Sequence, residues 1–448
     1  MRAVLFCLFS VSILTGASAQ ESQSMTLQAC VDYALANNEL GTITSLEKEI
    51  AAAEVRKTIA MGLPQVEITS GLNYNFEPQK SLVDISNFDP TVPKGTEQVV
   101  SFAQNYDGNI GLSVSQLLFD GSFFVGLQAS RTYQQLSSKE HIKNQIDIVE
   151  AVSKAYYTVL INEERLALVE KNFQRLDTLL RETRALNENG FVEKIDVDRI
   201  RVNHNNLRVE LNKMLQLTDI SRKLLKFQMG MPLETELALT EKLDDLTPSA
   251  TAGAVDFNYA DRIEFSQLQT NQDLVKLDMK NNRVQYMPRL YASFNYGYNT
   301  ATSQMDLLLK SGRWLSFGTV GVNLTIPVFD GFLKSNRIQQ NKVQLKQIEA
   351  RMSMLQKNID IEIEQSGNKL NSNVDALEVQ KENMDLADEI FRITQVKYRE
   401  GVGSNLEVME ADAALKEAQT NYYSALYDAM IAQIELRKAM GTLHASTN

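Results

Sequence analysis

The side chains able to do specialised chemistry are few and scattered in this sequence. Three histidines, His141, His204 and His444, and two cysteines, Cys7 and Cys30, are its whole supply of imidazole and thiol. None stands at the close spacing a metal site needs, and neither a glycine-rich phosphate loop nor a nucleophile elbow is present. The reading is no catalysis, no metal and no cofactor. His141 and His204 read as helix-surface residues, and Cys30, inside a helical pattern, as a packed thiol. A different signal lies in Tyr398-Arg399-Glu400-Gly401-Val402-Gly403-Ser404-Asn405-Leu406-Glu407-Val408. Ser404 and Glu407 have capping-box spacing, the serine accepting from an early helix N–H and the glutamate reaching back to the serine's own N–H. Gly401 and Gly403 permit positive φ in the turn before them. A bare helix hairpin meets this pattern as well as a functional tip does.

The chain that must position these residues has 448 amino acids, 44 % of them hydrophobic, enough for a large core. Its 45 Lys and Arg against 56 Asp and Glu give a net charge of −11. With no basic stripe, nucleic acid is excluded as a partner. Met1-Arg2, an apolar run from Ala3 to Leu14 and Ala17-Ser18-Ala19 read as a signal peptide over 1–19. Its removal leaves Cys30 as the one thiol, so no intramolecular disulfide forms. Beyond it no apolar run approaches the ~18 to 20 residues of a spanning helix, so a membrane form must cross as strands. Only 21 Gly and 8 Pro interrupt the chain, which suits very long helices.

An internal repeat organises the sequence. Leu117-Leu118-Phe119-Asp120-Gly121 returns 210 positions later as Pro327-Val328-Phe329-Asp330-Gly331. Asn189-Gly190-Phe191 through Asp196-Val197 returns at 211 as Glu400-Gly401-Val402 through Glu407-Val408. Leu63-Pro64-Gln65 answers Met287-Pro288-Arg289 at 224, which places the extra length of the first half in a loop over 77–108. The halves are 20–230 and 258–441, separated by a linker or equatorial segment over 231–257 and followed by a tail over 442–448.

Each half alternates strictly through two runs. Val66, Ile68, Leu72, Tyr74 and Phe76 oppose Glu67, Thr69, Gly71, Asn73 and Asn75, and Ile110, Leu112 and Val114 oppose Asn109, Gly111, Ser113 and Ser115. In the second half Leu290 to Tyr298 and Val320 to Val328 behave likewise. One apolar face and one of Asn, Ser, Gly and Thr fit strands around a wet lumen, and also a soluble sandwich. Loops over 77–108 and 300–316 join the runs, and Trp314 is placed to anchor an outer interface. Four strands close no membrane barrel, and open edges are not tolerated in lipid. Three copies would supply twelve.

Helices of ~67 residues, about 100 Å long, are expected from Ser122 to about Glu188 and from Phe332 to about Arg399. Heptad stripes such as Leu166, Val169, Phe173, Leu176, Leu180 and Leu345, Ile348, Met352, Leu355, Ile359 give them packing partners. Shorter helices are expected over 193–229 and 404–440, and others before the strands over 26–62 and 258–286.

These residues, together with Thr26-Leu27 through Asn37-Asn38, Gly62-Leu63-Pro64-Gln65-Val66 and Asn421-Tyr422-Tyr423 through Leu443, resemble the TolC family of outer-membrane efflux proteins. The resemblance implies a mixed α and β membrane protein, a homotrimer with a shared twelve-stranded transmembrane β-barrel, four strands per chain, and a long antiparallel coiled-coil barrel in the periplasm. It implies the Gram-negative outer membrane, with membrane lipid around the barrel. It also implies a periplasmic adaptor (membrane fusion) protein and an inner-membrane RND or ABC transporter as partners. The duct would export small molecules or polypeptide passively.

The resemblance also assigns sites. Gly190, Phe191, Val192, Glu193, Gly401, Val402 and Ser404 form the adaptor-docking tips; Glu193 stands where a small residue is usual. Tyr398, Gly403, Glu407, Glu410 and Asp196 form the periplasmic gate, Gly403 replacing an arginine that some members use as a latch. A solvated helix N-terminus favours Glu407 and Glu410 equally well. Phe119, Asp120, Gly121, Phe329, Asp330 and Gly331 form the strand–helix turns, their aromatics suiting a membrane-interface belt or contact with a neighbouring copy. The rival class is an exported coiled-coil structural or adaptor protein without channel activity, which explains the heptads but not four alternating strands.

Overall fold

The computed structural model describes residues 23–88, 91–241, 243 and 257–443. The expected signal peptide, much of the expected linker over 231–257 and the tail beyond Leu443, with His444, lie outside the described residues. In chain order the elements are β1 (Gln23–Met25), α1 (Leu27–Asn37), α2 (Glu39–Ala60), β2 (Gln65–Tyr74), β3 (Lys80–Asp84), β4 (Glu97–Ser101), β5 (Tyr106–Phe119) and α3 (Gly121–Glu188). There follow α4 (Lys194–Met229), β6 (Leu237–Leu239), α5 (Ile263–Val284), β7 (Arg289–Thr302), β8 (Leu315–Thr325), α6 (Leu333–Arg399) and α7 (Asn405–Ala439). The chain forms two compact units, one of residues 1–46, 139–266 and 353–448 and the other of 47–138 and 267–352. Each draws on both sequence repeats.

The second unit is built on one antiparallel sheet in the order β2-β5-β7-β8. Pairing carries the alternation across all four strands. Glu67, Ser113, Asn295 and Thr319 stand in one row, and Val66, Val114, Phe294 and Val320 in a neighbouring row on the opposite face. A one-residue slip would mix the faces, so the pattern specifies the register. Phe317 departs from it: it shares the polar face, where its ring closes on the Gly111–Gly297 pair, with Cζ 3.1 Å from a Cβ built on Gly297. Among the described residues, β2 and β8 are bonded on one side only.

Three expectations for this unit change. The 77–108 loop contains a hairpin, with β3 and β4 paired from Lys80–Ser101 to Asp84–Glu97; strands this short give periodicity too little length to register. The 300–316 loop is shorter, because β7 runs to Thr302 before two 3₁₀ turns, Met305–Leu309 and Ser311–Arg313. There the Trp314 indole donates to the Leu308 carbonyl at 2.8 Å. Finally, β8 stops at Thr325 although the alternation runs to Val328, since Pro327 has no N–H for a ladder.

The first unit holds the helical cores. One surrounds the fully buried Tyr156 and joins Cys30 and Ala34 of α1, Val152 and Val159 of α3, Leu225 and Met229 of α4 and Leu426 and Met430 of α7. Burial, aided by nearby Glu241, pushes the Cys30 thiol up to about 12, so it is inert packing. A second core joins Leu176 and Leu180 of the predicted heptad stripe to Val197, Ile200, Phe391, Val408 and Leu415, and a third, smaller one joins Leu370 of α6 to Ala432 and Leu436 of α7. Inside the linker, β6 pairs in parallel with β1.

The helix expected over 26–62 is two helices, broken at Asn38. Asn38 closes α1 through its N–H to Ala34 at 2.8 Å, and its Oδ1 accepts the Leu40 N–H of α2, also at 2.8 Å. Its amide meanwhile donates to the Gln228 carbonyl at the end of α4. The helix expected over 258–286 likewise begins as a 3₁₀ turn, Tyr259–Asp261, before α5. Arg262 between them is buried; it pairs with Glu264 and Glu362 and donates to the Ala439 carbonyl at 2.8 Å, satisfying the C-terminus of α7. A further ion-pair network joins three helices: Lys438 to Asp147 and Glu150, Lys154 to Glu150 and Glu435, and Lys369 to Glu435. Burial pushes the Glu150 carboxyl up, but hydrogen bonds from Lys154 and Lys438 outweigh it and hold it below its ordinary value.

Candidate functional site

Both long hairpins turn by the same backbone device. At the end of α3 the Phe191 N–H reaches the Leu186 carbonyl at 2.9 Å and Gly190, at φ 78°, bonds Asn187. At the end of α6 the Val402 N–H reaches Lys397 at 3.0 Å and Gly401, at φ 75°, bonds Tyr398. These are Schellman closures, which need a left-handed residue that glycine supplies without strain. Each presents an apolar side chain to solvent: Phe191 and Val402 are both 77 % exposed.

The helix starts differ. Ser404 caps α7, its Oγ accepting the Glu407 N–H at 3.2 Å. The return arm of the expected box changes partner, for the Glu407 carboxylate accepts from the Ser404 hydroxyl at 3.2 Å. Glu193 caps α4 by position with no side-chain bond, while Val192 is held through its carbonyl by the Asn187 amide at 2.8 Å. Gly403 is not at positive φ, contrary to expectation. Its glycine answers a close approach, since a Cβ there would lie 3.1 Å from the Tyr398 nitrogen.

Among the expected gate residues, the structure joins Asp196 to a residue outside that set. Asn405, buried at the start of α7, donates to Asp196 Oδ1 at 3.2 Å, and Arg199 lies 3.7 Å from the same oxygen. Tyr398 packs against the tip core, and its buried hydroxyl has no hydrogen-bond partner among the described residues. Glu407 and Glu410 are exposed on the first turns of α7.

Asn405 begins a stripe of buried residues on α7, continued by Val408, Asp412, Leu415 and Gln419. The polar members reach the other hairpin. Asp412 accepts from Arg175 of α3 at 3.0 Å and pairs with Lys416 at 2.6 Å, while Gln419 accepts from Asn172 at 3.3 Å. The Arg175 guanidinium also lies over the Phe391 ring of α6 at 4.1 Å. The signal was present in the sequence as polar residues at alternate steps of a three-four stripe, positions that fix register in coiled coils. The histidines also differ from expectation. His204 is mostly buried, with Nε2 3.2 Å from Asp177 and its ring 4.8 Å from that of Phe173, and His141 Nδ1 lies 2.9 Å from Thr44 Oγ1.

The two strand–helix turns share a motif and diverge in shape. In the first, Asp120 accepts the Ser122 N–H at 2.7 Å and α3 begins at Gly121, packed on Val284 of α5. In the second, Asp330 accepts the Lys334 N–H and pairs with its ammonium, both at 3.1 Å, but Gly331 and Phe332 both take φ 65° and α6 begins only at Leu333. Phe119 is partly covered beside Phe124, whereas Phe329 and Phe332 stack edge to face in the open.

Comparison with known proteins follows this architecture. A profile of the outer membrane efflux protein family matches residues 31–230 and 260–442. The chain is 20 % identical to outer membrane protein TolC of Vibrio cholerae over 416 residues, covering 89 % of this chain and 86 % of that protein. It is 20 % identical over 450 residues to the proteases secretion protein PrtF of Dickeya chrysanthemi, covering 99 % and 93 %. Among solved structures, the CmeC outer membrane channel of Campylobacter jejuni shares the fold with a TM-score of 0.72 at 15 % identity, over 99 % of this chain and 94 % of that one.

Proposed function

Since the chain belongs to the outer membrane efflux protein family, we propose that three copies assemble into a passive, gated exit duct for efflux or secretion. The observation that carries this reading is the four-stranded sheet, with one apolar face, one polar face and a free edge at each end. Free edges are costly in lipid, and an even number of strands lets the antiparallel order continue from copy to copy. The apolar face meets membrane lipid and the polar face lines the lumen.

In this reading the two hairpins form the periplasmic mouth. Glu407 and Glu410, exposed on α7, repeat in each copy and draw cations into the opening. Phe191 and Val402, with Gly190, Val192, Glu193, Gly401 and Ser404 shaping their turns, dock a periplasmic adaptor that links the duct to an RND or ABC transporter, the source of energy. Opening separates α6–α7 from α3–α4, which breaks the contacts of Asp196, Asn405, Arg175 and Asp412. Conductance of the purified protein in planar bilayers tests this. Small cation-selective openings, less selective after Glu407→Gln and Glu410→Gln, are expected; a monomer without channel activity would return the chain to the coiled-coil class.

A further inference from the structure

The repeat makes the unpaired edges of the sheet readable. Within the first half, β2 and β5 pair with Val66 opposite Val114 and Thr69 opposite Gly111. Within the second, β7 and β8 pair with Leu290 opposite Leu324 and Ser293 opposite Gly321. Moving β2 by 224 positions and β5 by 210, the shifts of the sequence repeat, converts one register into the other without remainder. The two halves are therefore the same structural unit used twice. The junction between them is also fixed, with β5 meeting β7 through Ser115–Ser293, Ser113–Asn295, Leu112–Tyr296 and Ile110–Tyr298.

Applying the same shifts to this junction, we infer that β8 of one copy pairs with β2 of the next with Thr325 opposite Thr69, Asn323 opposite Gly71, Val322 opposite Leu72 and Val320 opposite Tyr74. The faces agree without adjustment. Polar residues meet polar or glycine residues, and apolar ones meet apolar, whereas a slip by one residue would set Leu72 against Asn323 or Gly321. The occupant of both free edges is thus a second copy of this chain.

The helical side of the junction supports the same partner. Within the chain, Gly121 packs where a Cβ would lie 2.9 Å from Val284 Cβ and 3.4 Å from Met287 Sδ. A Cβ built on its counterpart Gly331 would meet nothing within 4 Å among the described residues, and the counterparts of Val284 and Met287 are Ala60 and Leu63, the latter exposed. The transfer brings these surfaces together between copies. Beside Gly331, Phe332 holds φ 65° while 66 % exposed. A non-glycine residue keeps such a conformation only where surroundings determine it, and among the described residues Phe332 stacks on Phe329 and is otherwise largely exposed.

This inference rests on the assembly proposed above, and the test separates the two. Thr69→Cys with Thr325→Cys, in the otherwise intact protein, should give covalent multimers up to three copies on oxidation. The two positions lie on opposite edges of one sheet, three strand spacings across and eight residues along, since the row of Thr69 reaches β8 at Phe317; that is about 30 Å, beyond the reach of an internal disulfide. Thr69→Cys with Gly321→Cys, displaced about 13 Å along the strand, should not link. Leu72→Cys with Val322→Cys repeats the test on the apolar face should the first pair fail to fold. Linking in the displaced pair, or none in the matched pairs of particles that count as three copies by mass photometry, overturns the register. Particles that count as single copies overturn the assembly itself.

Discussion

The two hairpin tips stop alike and restart differently. Gly190 and Gly401 close α3 and α6 with the same left-handed geometry and leave Phe191 and Val402 equally exposed. The restart of α7 is capped by the Ser404 side chain, whereas Glu193 makes no side-chain cap bond to α4 among the described residues. Ending a helix in a tight turn is a demand on the backbone that glycine meets best. Starting one is a matter of side-chain acceptors, so the second step is where duplicated halves drift and acquire separate roles. The strand–helix turns run the other way, their Asp caps shared and their φ angles not.

The largest test contrasts the tips with the other ends of the same hairpins. Gly230 and Gly441 also close helices at positive φ, but there a Cβ would lie 2.6 Å from the Asn37 carbonyl oxygen and 2.9 Å from that of Asp261. Gly230→Ala should therefore cost about 3 kcal/mol or more, combining φ strain with overpacking, against about 1 to 2 for Gly401→Ala or Gly190→Ala in open space. Urea midpoints followed by circular dichroism decide it; equal losses would remove the distinction. Next in size is the link between hairpins. Asp412→Ala leaves Arg175 without its carboxylate and should cost about 2 to 3 kcal/mol, while the double variant Arg175→Met, Asp412→Leu should recover much of the loss. A double variant no better than the single one would show that geometry, not charge, joins the helices.

A smaller pair of changes sharpens the comparison of restarts. Ser404→Ala should lose about 1 kcal/mol, and Glu193→Ser should gain roughly 0.5 by supplying the missing acceptor. If Glu193→Ser is neutral or harmful in adaptor-free protein, the absent bond is not what separates the tips. The smallest effect lies in pH. The Glu150 carboxyl has its folded-state pKa depressed, so its stabilisation is present above the ordinary value of about 4.3 and fades as pH falls through the lower folded value. Glu150→Gln should flatten the acid limb of the stability curve by a fraction of a kcal/mol, with no change in its slope near neutrality.

Much of the architecture was legible because its signals are periodic and repeated. Sheet alternation, two heptad-bearing helices and the shared Phe-Asp-Gly and Gly turns are local patterns that recur across a duplication, so each half checks the other. The β3–β4 hairpin escaped because five residues per strand carry little period, and the break at Asn38 because its cause is a carbonyl 190 positions away, that of Gln228. The candidate gate was legible as a pair of turns and not as a set of contacts. Neither the bond from Asn405 to Asp196 nor that from Arg175 to Asp412 is implied by spacing along the chain.

The sequence by itself determined the four long strands and the long helices, their order, their faces and the duplication, because backbone period and turn chemistry act over a few residues. Only the tertiary structure decided that Asn38 meets Gln228, Asn405 meets Asp196 and Asp412 meets Arg175. Those outcomes depend on distances between segments more than 100 residues apart, set when helices pack and strands choose neighbours, and no local pattern encodes them.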